Sequence, residues 1–179
     1  MAQKPRKGSG RTIGTVHQAI RQRKGFASPG QEATIALLRT ASVVGRVISR
    51  VLEPRELSLA QYNALRIIRG AGSAGLPTLA IRERMIEEGT TITRLLDRLE
   101  AAGLIERERS LPDRRQVICT ATPAGKKLLD RIDPVVDAAD AEAMAALTAT
   151  EARQLIALLD RVREANADRA APRTMARAD

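Results

Sequence analysis

Two clusters in the sequence carry side chains suited to holding phosphate or reading base edges. The first is Thr90, Thr91, Thr93, Arg94 and Arg98, within TTITRLLDRLEAA (90–102). The second is Asp113, Arg114 and Arg115, within SLPDRRQVICTAT (110–122). A threonine hydroxyl can bond a phosphate or a base, its methyl can touch a thymine methyl, and an arginine can read guanine through a two-pronged contact. In the first cluster Ile92, Leu95, Leu96 and Leu99 recur at i, i+3, i+4 and i+7. That spacing turns them to one side of a helix and leaves the threonines and arginines on the other. The N-terminus of such a helix also favours phosphate. In the second cluster, an acid beside two arginines is expected to hold one guanidinium extended, a shape suited to a narrow, negative minor groove. Each cluster has a plainer reading: a surface helix of mixed charge, and a solvated hairpin tip. Residues 79–116 hold eight basic and eight acidic side chains, so bulk charge does not choose between them.

The inventory for other chemistry is thin. The chain of 179 residues has one histidine, His17, and one cysteine, Cys119. A Cys/His zinc cluster within one chain is thereby excluded, and a Ser-His-Asp or Cys-His constellation has little to draw on. No Asp/Glu pair stands apart from the ion-pair pattern of the helices, so no catalytic residue, metal or cofactor is expected and an enzyme is disfavoured. A lone cysteine allows no intrachain disulfide and fits a reducing cytoplasm. No apolar run approaches the ~20 residues of a membrane span, and MAQKPRKGSGRTIG lacks the apolar stretch of a secretory signal. Phe26 and Tyr62 are the only aromatics, so the core must be aliphatic. The net charge is +9, of which residues 1–30 carry +7, with seven cations and no acid. Such an arm suits nucleic acid; a solvated tail is the alternative.

The elements that must position these clusters are marked by their caps. Ser28-Pro29-Gly30-Gln31 reads as a capping box with proline at the first helical position. The helix it opens should stop near Leu52, before Pro54. Leu37, Ala41, Val44, Ile48 and Val51 form one apolar stripe, and Ile35, Leu38, Val43 and Val47 a second, the pattern of a helix sandwiched between partners. Ser58-Leu59-Ala60-Gln61 is a second box, for a helix ended by Gly70 and Gly72. Leu76-Pro77 allows no more than an isolated bridge. Thr78 is expected to cap a short helix over 79–87, broken at Gly89-Thr90, and the next helix should close at Gly103. Strands follow near 104–109 and 115–120, with Glu106, Arg107, Glu108 and Arg109 read as solvated edge. Thr122-Pro123 opens a helix over about 123–146, which Pro134 should kink. Thr148-Ala149-Thr150-Glu151 is a third box, for a last helix fraying after about 165. Residues 1–27 read as a mostly disordered arm and 167–179 as a disordered tail.

Three helices on short turns followed by a two-stranded hairpin make residues 58–120 a winged helix-turn-helix, whose second motif helix enters the major groove. The fold class is mainly α with a small β-hairpin wing. From about Gln31 to Val162 the chain resembles the MarR family of transcriptional regulators, through LSLAQYNALRIIRGAG (57–72), TRLLDRLEAAGLIER (93–107), DRR (113–115) and TPAGKKLL (122–129). The resemblance implies an obligate homodimer with a helical dimerisation layer, here residues 28–57 and 121–166. It also implies a triangular dimer acting on double-stranded DNA at a pseudo-palindromic operator, more often as a repressor. By position, Thr90, Thr91, Thr93, Arg94 and Arg98 fall on the recognition helix, and Asp113, Arg114 and Arg115 on the wing. Many members respond to small phenolic or anionic effectors in a cleft between the dimer layer and the DNA-binding lobe. Tyr62 and Arg66 are placed to line it; the alternative puts Tyr62 in the core and Arg66 in solvent. The sequence departs from the common pattern in MIEEGTTITR (85–94), about two residues long for this turn, and in its long arm. No cysteine lies near the first helix, and Cys119 reads as a small half-buried hydrophobe. An alternative from another class is a low-specificity nucleoid-type protein that coats or bridges DNA through the basic arm. The ratio of specific to non-specific affinity separates the two.

Overall fold

The computed structural model describes residues 16–21, 23–86, 91–111 and 113–167. The expectations for most of the basic arm, for the C-terminal tail beyond 167 and for Gly89-Thr90 lie outside these residues. A single helical turn, α1 (Val16–Ala19), precedes the long α2 (Pro29–Leu52). Then come α3 (Leu59–Gly70), β1 (Leu76–Pro77), α4 (Thr78–Arg84) and α5 (Ile92–Ala101). The strands β2 (Ile105–Arg109) and β3 (Val117–Ala121) lead into α6 (Pro123–Met144) and α7 (Ala149–Glu164).

The caps explain most of the boundaries. The Ser58 hydroxyl accepts the Gln61 amide at 3.1 Å while the Gln61 side chain accepts the Ser58 amide at 2.9 Å, so both halves of the box at α3 form. Thr148 and Glu151 do the same at α7. At α2 the box closes one residue early: Ser28 caps Gln31, but the Gln31 side chain accepts from Ala27 rather than from Ser28. At α6 the Thr122 hydroxyl accepts the Gly125 amide at 3.0 Å. Pro134 lies inside α6.

Two local expectations fail for the same reason, a partner distant in sequence. Leu76-Pro77 is a true strand, antiparallel to β3 with Leu76 opposite Cys119 and Pro77 opposite Ile118. Proline is tolerated because β1 is an edge of the sheet, whose order is β1-β3-β2. Thr78 does not cap α4. Its hydroxyl donates to the Val117 carbonyl at 3.4 Å, and Pro77 holds the cap position. The helix ends at Arg84, where Met85 turns extended and is buried.

One aliphatic core joins the lobe to the long helices. Leu52 and Leu57, Leu65 and Ile68 of α3, Ile81 of α4 and Leu95, Leu96 and Leu99 of α5 belong to it. So do Ile105 and Cys119 of the sheet and Leu129, Ile132 and Val136 of α6. The opposite end of the molecule is bare. None of the residues of α7 is buried. Leu155, Ile156, Leu158 and Val162 of α7 are exposed, as are Leu37, Leu38 and Val43 of α2.

Candidate nucleic-acid interface

The recognition-helix candidate is α5. Leu95, Leu96 and Leu99 are buried as the spacing predicts, while Thr93, Arg94 and Arg98 are exposed. Thr91 is the N-cap residue, with no side-chain capping bond. Thr90 lies outside the described residues.

How α5 ends decides where the wing begins. Gly103 has φ +68, a left-handed conformation natural to glycine. Its amide donates to the Glu100 carbonyl at 2.8 Å, and the Leu104 amide reaches back to the Leu99 carbonyl at 2.9 Å. This is a Schellman turn, and it delivers the chain straight into β2. Gly125 then seats α6 against the same turn, since an added Cβ would run into the Leu104 carbonyl oxygen. The Thr122 hydroxyl donates to the Gly103 carbonyl at 2.7 Å.

Beyond the turn β2 and β3 pair in register from Ile105 opposite Ala121 to Arg109 opposite Val117. The Ser110 amide donates to the Gln116 carbonyl at 3.0 Å. Asp113 shapes the tip differently from the sequence expectation. Its Oδ1 accepts the Arg115 backbone amide at 3.1 Å and its Oδ2 accepts the Gln116 side-chain amide at 3.0 Å. Among the described residues it forms no ion pair with Arg114 or Arg115. A carboxylate two residues before an amide makes a local turn more readily than it grips a long flexible side chain. Arg114 and Arg115 are both exposed.

Arg107 also departs from expectation. It is not a solvated edge residue. Its Nε and Nη2 donate to Glu100 Oε2 at 2.9 and 2.5 Å, and Nη2 lies 2.7 Å from Asp97 Oδ1. The hydrogen bond to Glu100, then that to Asp97, raises its pKa despite partial burial. Two hollows flank these elements. A cleft of about 620 Å³ between α4 and the wing is lined by Thr78, Leu79, Arg82, Ile92, Arg115 and Gln116. A smaller one of about 200 Å³ brings Arg94 and Arg98 beside Ser58 and Gln61 at the start of α3. The sequence marks Ser58 and Gln61 only as a helix cap and does not mark Arg82 or Gln116, because only the folded arrangement sets the four beside α5 and the wing.

Tyr62 and Arg66 satisfy parts of both readings. Tyr62 is 3% exposed and belongs to the core. It also lines a cleft of about 350 Å³ with Ile48, Arg66, Ile86 and Val136, between α2, α3 and α6. Its hydroxyl donates to Asp133 Oδ1 at 2.8 Å, and Arg69 Nη2 meets Asp133 Oδ2 at 2.5 Å. Arg66 is held more loosely, 4.0 Å from Asp133 and 5.6 Å above the Tyr62 ring. Burial, followed by the bond to Asp133, pushes the Tyr62 pKa up to about 12. Burial alone would raise Asp133, but the bonds from Arg69 and Tyr62 outweigh it and hold the carboxyl below its ordinary range. Cys119 is fully buried, and burial raises its thiol. Among the described residues no group of side chains could hold a metal ion, and no helix is long and apolar enough to cross a membrane.

Comparison with known proteins matches the sequence model of the MarR family to residues 57–117. An HTH-type transcriptional repressor of Mycobacterium tuberculosis, Rv2887, is 30% identical over 126 residues, covering 70% of this chain and 89% of that protein. The crystal structure of a MarR transcription factor from Planctomyces limnophilus is similar with a TM-score of 0.59 and 36% identity, covering 76% of this chain and 98% of that one. A mutant MarR from E. coli, crystallised with operator DNA, is similar with a TM-score of 0.65 and 27% identity, covering 71% and 90%.

Proposed function

The chain belongs to the MarR family of transcriptional regulators, and from that premise we propose that it is a homodimeric repressor of a pseudo-palindromic operator, released by a small phenolic or anionic ligand. Each copy offers the start of α5 to the major groove, with Thr90, Thr91, Thr93, Arg94 and Arg98 against phosphates and base edges. The wing then offers Arg114 and Arg115 to the adjoining minor groove. The observation that carries this reading is the state of four arginines. Arg94, Arg98, Arg114 and Arg115 are exposed, and among the described residues none is in an ion pair. Arg69 and Arg107, by contrast, are engaged inside the protein. The four therefore keep their charge and donors for an outside partner, and phosphates and guanine edges are the partners such donors suit.

Dimerisation is supported by the exposed large apolar side chains of α2 and α7, which a partner would cover. Release is supported by the cleft beside Tyr62. An anion there pairs with the loosely held Arg66 and draws it from Asp133, at the joint between α3 and α6. A ligand that binds better when the two lobes stand at another spacing shifts the dimer away from the form that spans successive major grooves.

Footprinting on the DNA beside its own gene tests the proposal. Two protected patches related by an inverted repeat are expected. Uniform protection without preferred sequence would instead indicate a protein that coats DNA.

A further inference from the structure

We propose that Arg107 is a positioning residue that fixes the angle of the wing against the recognition helix and so couples reading of the half-site to reading of its flank. This rests on the DNA-binding reading above. The wing is set in the core at its base by Ile105, Cys119 and Ala121, while Glu108 and Arg109 beyond them are exposed and Val117 and Ile118 are half-buried. It leaves α5 through the short turn at Gly103, and β1 adds only two residues to its free side. A two-stranded ribbon of this size is marginal alone and free to twist. Arg107 stands at the middle of β2, opposite Cys119, the residue that also pairs with β1. From there its guanidinium spans two carboxylates on α5, Glu100 and Asp97, which lie on one helix face at i, i+3 spacing. A planar guanidinium can serve both acids at once and thereby sets direction as well as distance, which a lysine ammonium does poorly.

The side chain of Arg107 is 23% exposed, and those of Asp97 and Glu100 are 52% and 39% exposed. Partly solvated pairs contribute little to overall stability. What the arrangement supplies is geometry. The tip lies several residues beyond Arg107, so a small rotation at the fork becomes a larger displacement of Arg114 and Arg115.

The test uses the full-length protein and measures two discrimination ratios on duplexes carrying its mapped site. One compares A·T with G·C at the flank beneath the wing; the other compares the correct with an incorrect base pair beneath α5. In the wild type each ratio should be roughly 5- to 100-fold. Arg107→Ala should bring the flank ratio to within about twofold while the half-site ratio stays near the wild-type value. Arg107→Lys should lose part of the flank ratio. The swapped pair Arg107→Glu with Glu100→Arg should recover part of it. A purely structural role would lower the active fraction and leave both ratios unchanged, and that result overturns the proposal. So does a parallel fall of both ratios. If Arg107→Ala does not fold, Arg107→Lys decides, with an unchanged flank ratio counting against the strut. If the wild type shows no sequence preference, the DNA-binding reading has failed rather than the strut. The strut is then judged by the distance distribution between spin labels at Arg114→Cys and Ala101→Cys. Arg107→Lys should broaden that distribution, and an unchanged one overturns the proposal.

Discussion

Both carboxylate oxygens of Asp113 are occupied, Oδ1 by the Arg115 amide and Oδ2 by the Gln116 side chain. The acid therefore sets the path of the main chain through Arg114 and Arg115 and leaves both guanidinium groups free. Asp113→Ala removes a negative charge from a surface proposed to meet DNA, so charge counting forecasts tighter binding. The observed bonding forecasts the opposite. Losing two hydrogen bonds of about 1 kcal/mol or less each should loosen the tip and weaken binding several-fold on operator and scrambled duplexes alike. Titration of both duplexes at several salt concentrations decides between them. The sequence marks Asp113 as shaping the tip but points to the wrong bond. A side chain's choice between a neighbouring amide and a neighbouring guanidinium depends on the turn geometry, which residue types do not specify.

The joints between elements were the least legible part of the chain. The helices themselves were readable, because caps at Ser28, Ser58, Thr122 and Thr148 are local signals with a partner three residues away. The apolar face of α5 was readable from its period for the same reason. Thr78 departs from its expected capping role because its hydroxyl reaches Val117, and Arg107 from a solvated edge because its acids lie on the preceding helix. Nothing local marks Asp133, since Tyr62, Arg66 and Arg69 are more than sixty residues away in sequence. That α3–α6 joint has a spectroscopic handle, because Tyr62 is the only tyrosine. Its phenolate absorbance should titrate near pH 12 in the folded protein, against 10.0 for an ordinary tyrosine. The neutral phenol is the favoured form. The stability it contributes is thus complete below pH 10 and is lost as pH rises through about 12. Asp133 has the opposite sign: its contribution is present above the ordinary value of 3.8 and is lost as pH falls through its depressed one. Asp133→Asn should move the Tyr62 midpoint down toward 10 by removing a charged acceptor. A native midpoint already near 10 would mean that neither the burial of Tyr62 nor its bond to Asp133 holds in solution.

At the scale of the whole molecule, two features ask for partners of different kinds. Exposed leucines on α2 and α7 ask for an apolar one, which in the proposed homodimer is a second copy. Exposed arginines on α5 and the wing ask for an anionic one. A dimer that meets both demands presents two α5 helices and two wings with twofold symmetry, so its DNA must carry matching half-sites about one helical turn, ~10 base pairs, apart or a multiple of that. The most direct measurement is a stoichiometric titration of the mapped inverted repeat against two altered duplexes. One has a half-site scrambled, and the other has half a helical turn inserted between the half-sites. The account predicts two chains bound together per intact repeat and at least ~100-fold weaker binding to both altered duplexes. One chain per duplex, or equal affinity for all three, would contradict it.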